Sequence, residues 1–99
     1  MIIVRRTYLP LPGKGGQLLA LVKKASDAMA EAGFERPAVL RGWHGMHGAL
    51  QTEQVWPDIA SYEASRSVVR RTPGITSVFG DIYPLLAETH STDVFEAVE

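Results

Sequence analysis

Two histidines on either side of a two-residue segment are the side chains of this chain best suited to local chemistry. His44 and His47 flank Gly45 and Met46, and a tight turn centred on that pair would place the two imidazoles opposite each other on adjacent strands. Facing imidazoles can share a proton or a metal ion. Candidates for a third metal ligand are Gln51, Glu53, His90 and a residue of a second subunit. Because two ligands do not make a metal site, the sequence alone predicts none.

Two charged residues near these histidines are candidates for acid-base and anion-binding roles. Counting outward from the turn puts Glu53 on the same face as His44 and His47, among apolar neighbours that would disfavour its charged form, as a general base requires. A shift of one residue in strand register would move Glu53 to the other face. Arg41 falls on that other face. There its guanidinium could bind an enolate or phenolate, or it could form an ion pair with Glu53 or Glu63. The candidate catalytic residues are His44, His47, Glu53 and Arg41.

Aromatic residues cluster in the sequence where the predicted sheet meets the second helix. Aromatic walls with a few polar groups are typical of a pocket for a planar, apolar ligand, and core packing is the alternative explanation. Arg66 is less easily explained by packing and suits contact with a ligand. The candidate pocket residues are Tyr8, Trp43, Trp56, Tyr62 and Arg66.

Length and composition exclude several functional classes. The 99 residues include no Cys, so disulfides and thiolate chemistry are excluded and we expect a cytoplasmic protein. The net charge of −1 provides no basic field for nucleic acid and favours an uncharged or weakly anionic small molecule as ligand. We expect no secretion signal, because the N-terminal apolar run precedes the basic pair Arg5-Arg6 and no small-residue cleavage site follows. We expect no membrane partner, because the apolar runs fall far short of the roughly 20 residues that span a bilayer.

Apolar periodicity predicts seven elements in a single domain that covers residues 1–99. From Leu18 to Ala32 apolar residues recur every three or four positions, which indicates an amphipathic helix, and Gly33 follows as its C-terminal cap. Asp58 is suited to cap a second helix, which must stop before Pro73. The remaining predicted elements are strands at 2–9, 38–44, 49–56 and 88–98, and a short or broken helix at 75–86.

This order of elements is that of a ferredoxin-like α+β domain, βαββαβ, in which helices cover one face of a four-stranded antiparallel sheet. The hairpin strands carry Val and Leu on both faces and Trp on one, so the second face also has to be covered. A second copy of the chain is the simplest cover. We therefore expect a homodimer formed through the sheet face.

Three short motifs resemble one group of known proteins. The stretch Val55–Arg66 reads V-W-P-D-I-A-S-Y-E-A-S-R and resembles the strand-to-helix passage of dimeric α+β barrel proteins, V-W-x-D-x-x-x-Y-E. Antibiotic-biosynthesis-type monooxygenases and NIPSNAP-like proteins have similar passages. The NIPSNAP-like proteins also have a Pro-Gly-Lys after strand one, here residues 12–14. Residues 82–88 resemble the segment that precedes the last strand in the same group.

The resemblance implies a dimeric α+β barrel that binds a small molecule. Its families include cofactor-independent oxygenases, haem-degrading enzymes, isomerases and proteins with no known reaction. Strand one here lacks the Asn of the haem-degrading members, so we do not expect haem. We expect no other cofactor. We expect a monooxygenase that deprotonates an aromatic or polyketide-like substrate to a carbanion that reacts with O2, with Arg41 or Arg66 stabilising the anion. The alternatives are a non-catalytic binding or accessory protein and a metal-binding variant that uses His44 and His47.

Overall fold

The computed structural model describes residues 1–45 and 48–98, and its elements follow the predicted order. Four antiparallel strands form one sheet in the order β2-β3-β1-β4, with helices on one face. This arrangement confirms the ferredoxin-like α+β fold. The elements are β1 (Ile2–Tyr8), α1 (Gly15–Glu31), β2 (Ala38–Arg41), β3 (Leu50–Trp56), α2 (Ile59–Arg70), α3 (Pro73–Ile82), a 3-10 helix (Tyr83–Leu85) and β4 (Ser91–Glu96).

The helix ends lie at the residues whose chemistry favours them. The Asp58 carboxylate accepts a hydrogen bond from the backbone N–H of Ser61 at 2.7 Å, so it caps α2 as predicted. Gly33 follows α1 with a φ of +93°, a left-handed conformation that glycine adopts without steric cost. Pro73 occupies the first turn of α3, where its missing N–H breaks no helical bond. Pro84 lies in the 3-10 helix that ends the predicted broken helix.

The hairpin between β2 and β3 has the predicted register but shorter strands. Ala38 pairs with Glu53 and Arg41 with Leu50, and the next step is a hydrogen bond of 3.0 Å from the Gly42 N–H to the Ala49 carbonyl. The predicted strand through His44 is wrong, because β2 ends at Arg41. His47 and the predicted turn residue Met46 lie outside the described residues.

The two faces of the sheet differ in what covers them. On the face toward the helices, β1 carries Ile2, Val4, Arg6 and Tyr8, and β3 carries four residues that are each at most 9% exposed: Leu50, Thr52, Gln54 and Trp56. The opposite face, called the open face below, carries no helix in the described chain. Its residues are Ile3, Arg5, Thr7, Ala38, Leu40, Gln51, Glu53, Val55, Ser91, Asp93 and Phe95.

The buried apolar residues between sheet and helices form two clusters. The larger cluster joins α1, α3 and one end of the sheet, and it contains Tyr8, Leu18, Val22, Ala25, Leu50, Val78, Ile82 and Leu85. The smaller cluster lies at the other end of the central strands and contains Ile2, Val4, Trp56 and Tyr62. Between them the helix side of the sheet carries polar residues, so the core is divided in two.

Within the described residues, no helix combines the length and the apolar character that crossing a membrane requires.

The larger cluster should carry much of the stability of the fold. Ile82 is fully buried in it, so Ile82→Ala should lower the free energy of unfolding by about 2–5 kcal/mol through lost burial and a residual cavity. Ile59→Ala removes the same atoms from a side chain that is 49% exposed and should cost well below that amount. Urea denaturation of both variants measures the difference, and equal losses would contradict the assignment of the core.

Candidate functional site

A cavity of about 300 Å3 lies between the sheet and the helices, where the two core clusters meet. This volume is at the small end of the range of about 300–1,000 Å3 that is typical of small-molecule sites. The sheet contributes Arg6, Tyr8, Thr52, Gln54 and Trp56 to its wall, and His90 lines it next to β4. The helices contribute, among others, Tyr62, Ser65, Arg66, Arg70 and Phe79, and the 3-10 helix contributes Tyr83.

Arg6 is a charged residue at the centre of the helix side of the sheet. In register it lies between Thr52 on β3 and Thr92 on β4, so a polar row crosses the sheet where an apolar row would be expected. Its Nη2 donates a hydrogen bond of 3.2 Å to the hydroxyl oxygen of Tyr62 on α2. The guanidinium therefore links the sheet to the helix layer and leaves further N–H donors for a ligand.

His90 lies beside Arg6, immediately before β4. The β1–β4 register places it opposite Tyr8, and their ring centroids are 5.2 Å apart. Its ring also stacks on Tyr83 at 5.9 Å with an interplanar angle of 2°. Burial lowers the pKa of His90 below its ordinary value, and the positive charge of Arg6 lowers it further. The imidazole is therefore neutral at pH 7 and presents one acceptor nitrogen.

Two buried polar atoms of the site have no hydrogen-bond partner within the described chain. They are Nδ1 of His90 and Nε1 of Trp56. Buried polar groups in proteins are nearly always satisfied, by protein, water or ligand. Both residues line the cavity, so these two unsatisfied atoms lie beside the space in which a molecule would bind.

Tyrosines and an arginine complete the polar lining. Burial raises the pKa of Tyr8, so its side chain is a neutral phenol at pH 7. Tyr62 packs against Trp56 with ring centroids 5.8 Å apart, and the Arg66 guanidinium lies 6.0 Å from the centroid of the Tyr62 ring. The site thus combines flat aromatic walls with cations, neutral donors and one imidazole acceptor, which suits a planar molecule that carries or develops negative charge.

Four of the five residues predicted for the pocket line this cavity: Tyr8, Trp56, Tyr62 and Arg66. Trp43 does not line it, and its side chain is 89% exposed. The prediction for Trp43 assumed that the strand continues to His44, whereas β2 ends at Arg41 and Trp43 lies in the following bend.

The residues predicted to be catalytic lie elsewhere. Glu53 is on the open face, where its Oε2 is 2.6 Å from Nη2 of Arg5, so it is paired and partly exposed rather than desolvated. Arg41 and His44 are exposed at the end of the hairpin. His47 lies outside the described residues. Within residues 1–45 and 48–98, no three acidic or histidine side chains are grouped in a way that could hold a metal ion.

The sequence did not identify Arg6 as a site residue, and it identified His90 only as a candidate metal ligand. The sequence does contain a pattern that could have identified Arg6. Alternation puts Ile2, Val4, Arg6 and Tyr8 on one face of the strand, so a charged residue lies among apolar ones. His90 lies just before β4, which begins at Ser91 and not at residue 88 as predicted. Only the pairing of β4 with β1 brings His90 beside Arg6 and Tyr8.

Comparisons with solved structures bear on the fold. An uncharacterised NIPSNAP domain protein from Burkholderia xenovorans matches with a TM-score of 0.85 and 16% identity, over 99% of this chain and 95% of that chain. A putative antibiotic biosynthesis monooxygenase from Deinococcus radiodurans matches with a TM-score of 0.74 and 17% identity, over 100% of this chain and 94% of that chain. A NIPSNAP family protein from Agrobacterium tumefaciens matches with a TM-score of 0.82 and 14% identity, over 99% and 93% of the two chains.

No protein-family model matches the chain, and no curated protein matches its sequence. At identities below one fifth, the structural matches establish the fold. The fold-level resemblance expected from the sequence motifs is confirmed: this chain has the α+β fold of the NIPSNAP and antibiotic biosynthesis monooxygenase structures.

Proposed function

We propose that the chain binds a small aromatic or polyketide-like molecule in the cavity and oxidises it as a cofactor-independent monooxygenase. One observation carries the proposal: Nδ1 of His90 and Nε1 of Trp56 are buried without a partner in the described chain, and both residues line the same cavity. A bound molecule with a donor or acidic proton near His90 and an acceptor near Trp56 satisfies both atoms. The names of several comparison structures are consistent with this chemistry.

The aromatic walls favour a flat ligand. The rings of Trp56, Tyr62 and Tyr8 bound the cavity, and offset or edge-on contacts with a ligand ring add to the burial of apolar surface. The small volume favours a ligand of few rings.

The polar groups supply the steps of the reaction. The neutral imidazole of His90 removes a proton from an activated CH2 group of the substrate, and the Arg6 guanidinium stabilises the resulting enolate. The carbanion transfers electrons to O2 and forms a carbon–oxygen bond to give a hydroperoxide. Loss of water from the hydroperoxide, with the proton returned by His90, leaves a carbonyl. In total CH2 and O2 become C=O and H2O, and the four electrons lost by carbon are gained by oxygen.

Replacing the proposed base should separate catalysis from binding. His90→Gln should lower the rate of O2 consumption with anthrone, which carries an activated CH2 group, by at least about 100-fold, the usual contribution of general-base catalysis. Calorimetry should show that anthrone still binds. Glu53→Gln and His44→Gln should leave the rate unchanged, because both side chains lie outside the cavity. Equal loss in Glu53→Gln would contradict the site, and binding without oxidation of any probe would favour the non-catalytic alternative.

The pH profile should follow the titration of His90. Burial and the charge of Arg6 lower the pKa of His90, so kcat/KM should be flat at neutral pH and fall as the pH drops through an apparent pKa below 6.5. Arg6→Met removes the positive charge and should raise that pKa toward the ordinary value. An NMR titration of the His90 ring in both proteins measures the shift directly. A wild-type pKa at or above 6.5 would contradict the assignment.

We also propose that the chain forms a homodimer through the open face. Leu40 and Phe95 are 39% and 43% exposed there, beside the partly buried Ile3 and Val55. Apolar surface on a sheet face is typical of an interface. The Arg5 guanidinium, paired with Glu53 and lying 4.9 Å from the centroid of the Phe95 ring, is already neutralised for burial.

A pair of adjacent residues on β4 tests this interface. Phe95 and Val94 are 43% and 45% exposed on opposite faces of the same strand. Phe95→Glu should convert the dimer to a monomer, because a carboxylate would be buried against the second copy, whereas Val94→Glu should remain dimeric. Sedimentation velocity measures the state of each protein. A monomeric wild type, or dissociation by both substitutions, would contradict assembly through the open face.

A further inference from the structure

Three arginines and no described acidic side chain line the cavity. Arg6 enters from the sheet, and Arg66 and Arg70 enter from α2. No aspartate or glutamate of the described chain lines it, although acidic residues slightly outnumber basic ones in the whole sequence. The positive charge is therefore a local property of this site and does not follow from the overall composition.

The spacing on α2 explains how two of these arginines reach the same wall. Tyr62, Arg66 and Arg70 are four residues apart, which puts them on one face of the helix. Tyr62 connects this face to the sheet, because its hydroxyl accepts from Arg6 at 3.2 Å and its ring lies 6.0 Å from the Arg66 guanidinium carbon. Two of the three cations, Arg6 and Arg66, thus contact the same tyrosine.

None of these three arginines is neutralised by an ion pair in the described part of the chain. The two ion pairs found there join Arg5 to Glu53 and Arg36 to Asp27, both away from the cavity. Arg6 is half-buried, whereas Arg66 and Arg70 are exposed at the edge of the cavity, and a bound anion would offset the repulsion among the three cations. Convergent arginines without an acidic partner are typical of a site for an oxyanion.

We propose that the ligand of this cavity is an aromatic carboxylate, with its carboxylate bound by Arg66 and Arg70 and its ring against Trp56 and Tyr62. This inference rests on the proposed binding function and specifies its ligand class. The planar guanidinium fork matches a carboxylate in two parallel hydrogen bonds. Arg6, which lies beside His90, remains free to stabilise the enolate at the reacting end of the molecule.

Matched probes test the charge requirement. Calorimetric titration with 2-naphthoate and with the neutral 2-naphthalenemethanol compares ligands of similar shape, and the acid should bind at least 10-fold more tightly. Arg66→Gln and Arg70→Gln should each weaken binding of 2-naphthoate about 10-fold and change binding of the alcohol less than about twofold. Arg71→Gln is the control, because Arg71 is exposed like Arg66 and Arg70 and adjacent to Arg70 in sequence but is not part of the lining; it should change neither affinity.

The outcomes distinguish this inference from the function on which it rests. Equal affinity for acid and alcohol overturns the carboxylate assignment and leaves the aromatic cavity intact. Loss of affinity in Arg71→Gln equal to that in Arg66→Gln also overturns it, because a general field would then explain the effect. Tighter binding of 2-naphthyl phosphate than of 2-naphthoate would replace the carboxylate by a phosphate ester. Failure of both uncharged and charged probes to bind would overturn the cavity function as well.

Discussion

The position of Arg6 on the helix side of a central strand is the constraint on which the site depends. A guanidinium cannot be packed into an apolar layer without a partner, because removing a cation from water costs several kcal/mol. The helices therefore cannot close over the middle of the sheet as they do at its ends. Contact with the Tyr62 hydroxyl holds the charge in place, and the space left around it is the cavity.

This constraint accounts for the division of the core. One apolar cluster packs α1 and α3 against the Tyr8 end of β1, and another packs Trp56 and Tyr62 against the Ile2 end. Gln54, which pairs with Val4 in the register, is buried next to the polar row through a hydrogen bond of 2.7 Å from its side-chain N–H to the Glu35 carbonyl. Gln54, Thr52 and Arg6 all line the cavity, so the candidate site lies where polar side chains interrupt the apolar core.

Much of the fold followed from local patterns, whereas the site required tertiary information. Counting outward from the predicted turn gave the hairpin register, and the placement of Asp58 and Gly33 at helix ends followed from backbone chemistry. Periodicity identifies which residues share a face, but it does not say which face the helices cover. Glu53 was therefore given the correct strand register, but it was expected to be desolvated, whereas it pairs with Arg5 on the partly exposed open face. His90 became significant only through the β1–β4 pairing, a contact between the two ends of the chain.

The divided core also has a thermodynamic consequence for a chain this short. A domain of about 100 residues has limited apolar surface to bury, and a cavity between two clusters forgoes some of it. A molecule that fills the gap would supply contacts that the polypeptide itself does not make. Because it would bind only the folded state, its free energy of binding would add to the stability of the protein. Occupancy would then show itself as a rise in melting temperature, independent of any chemical reaction.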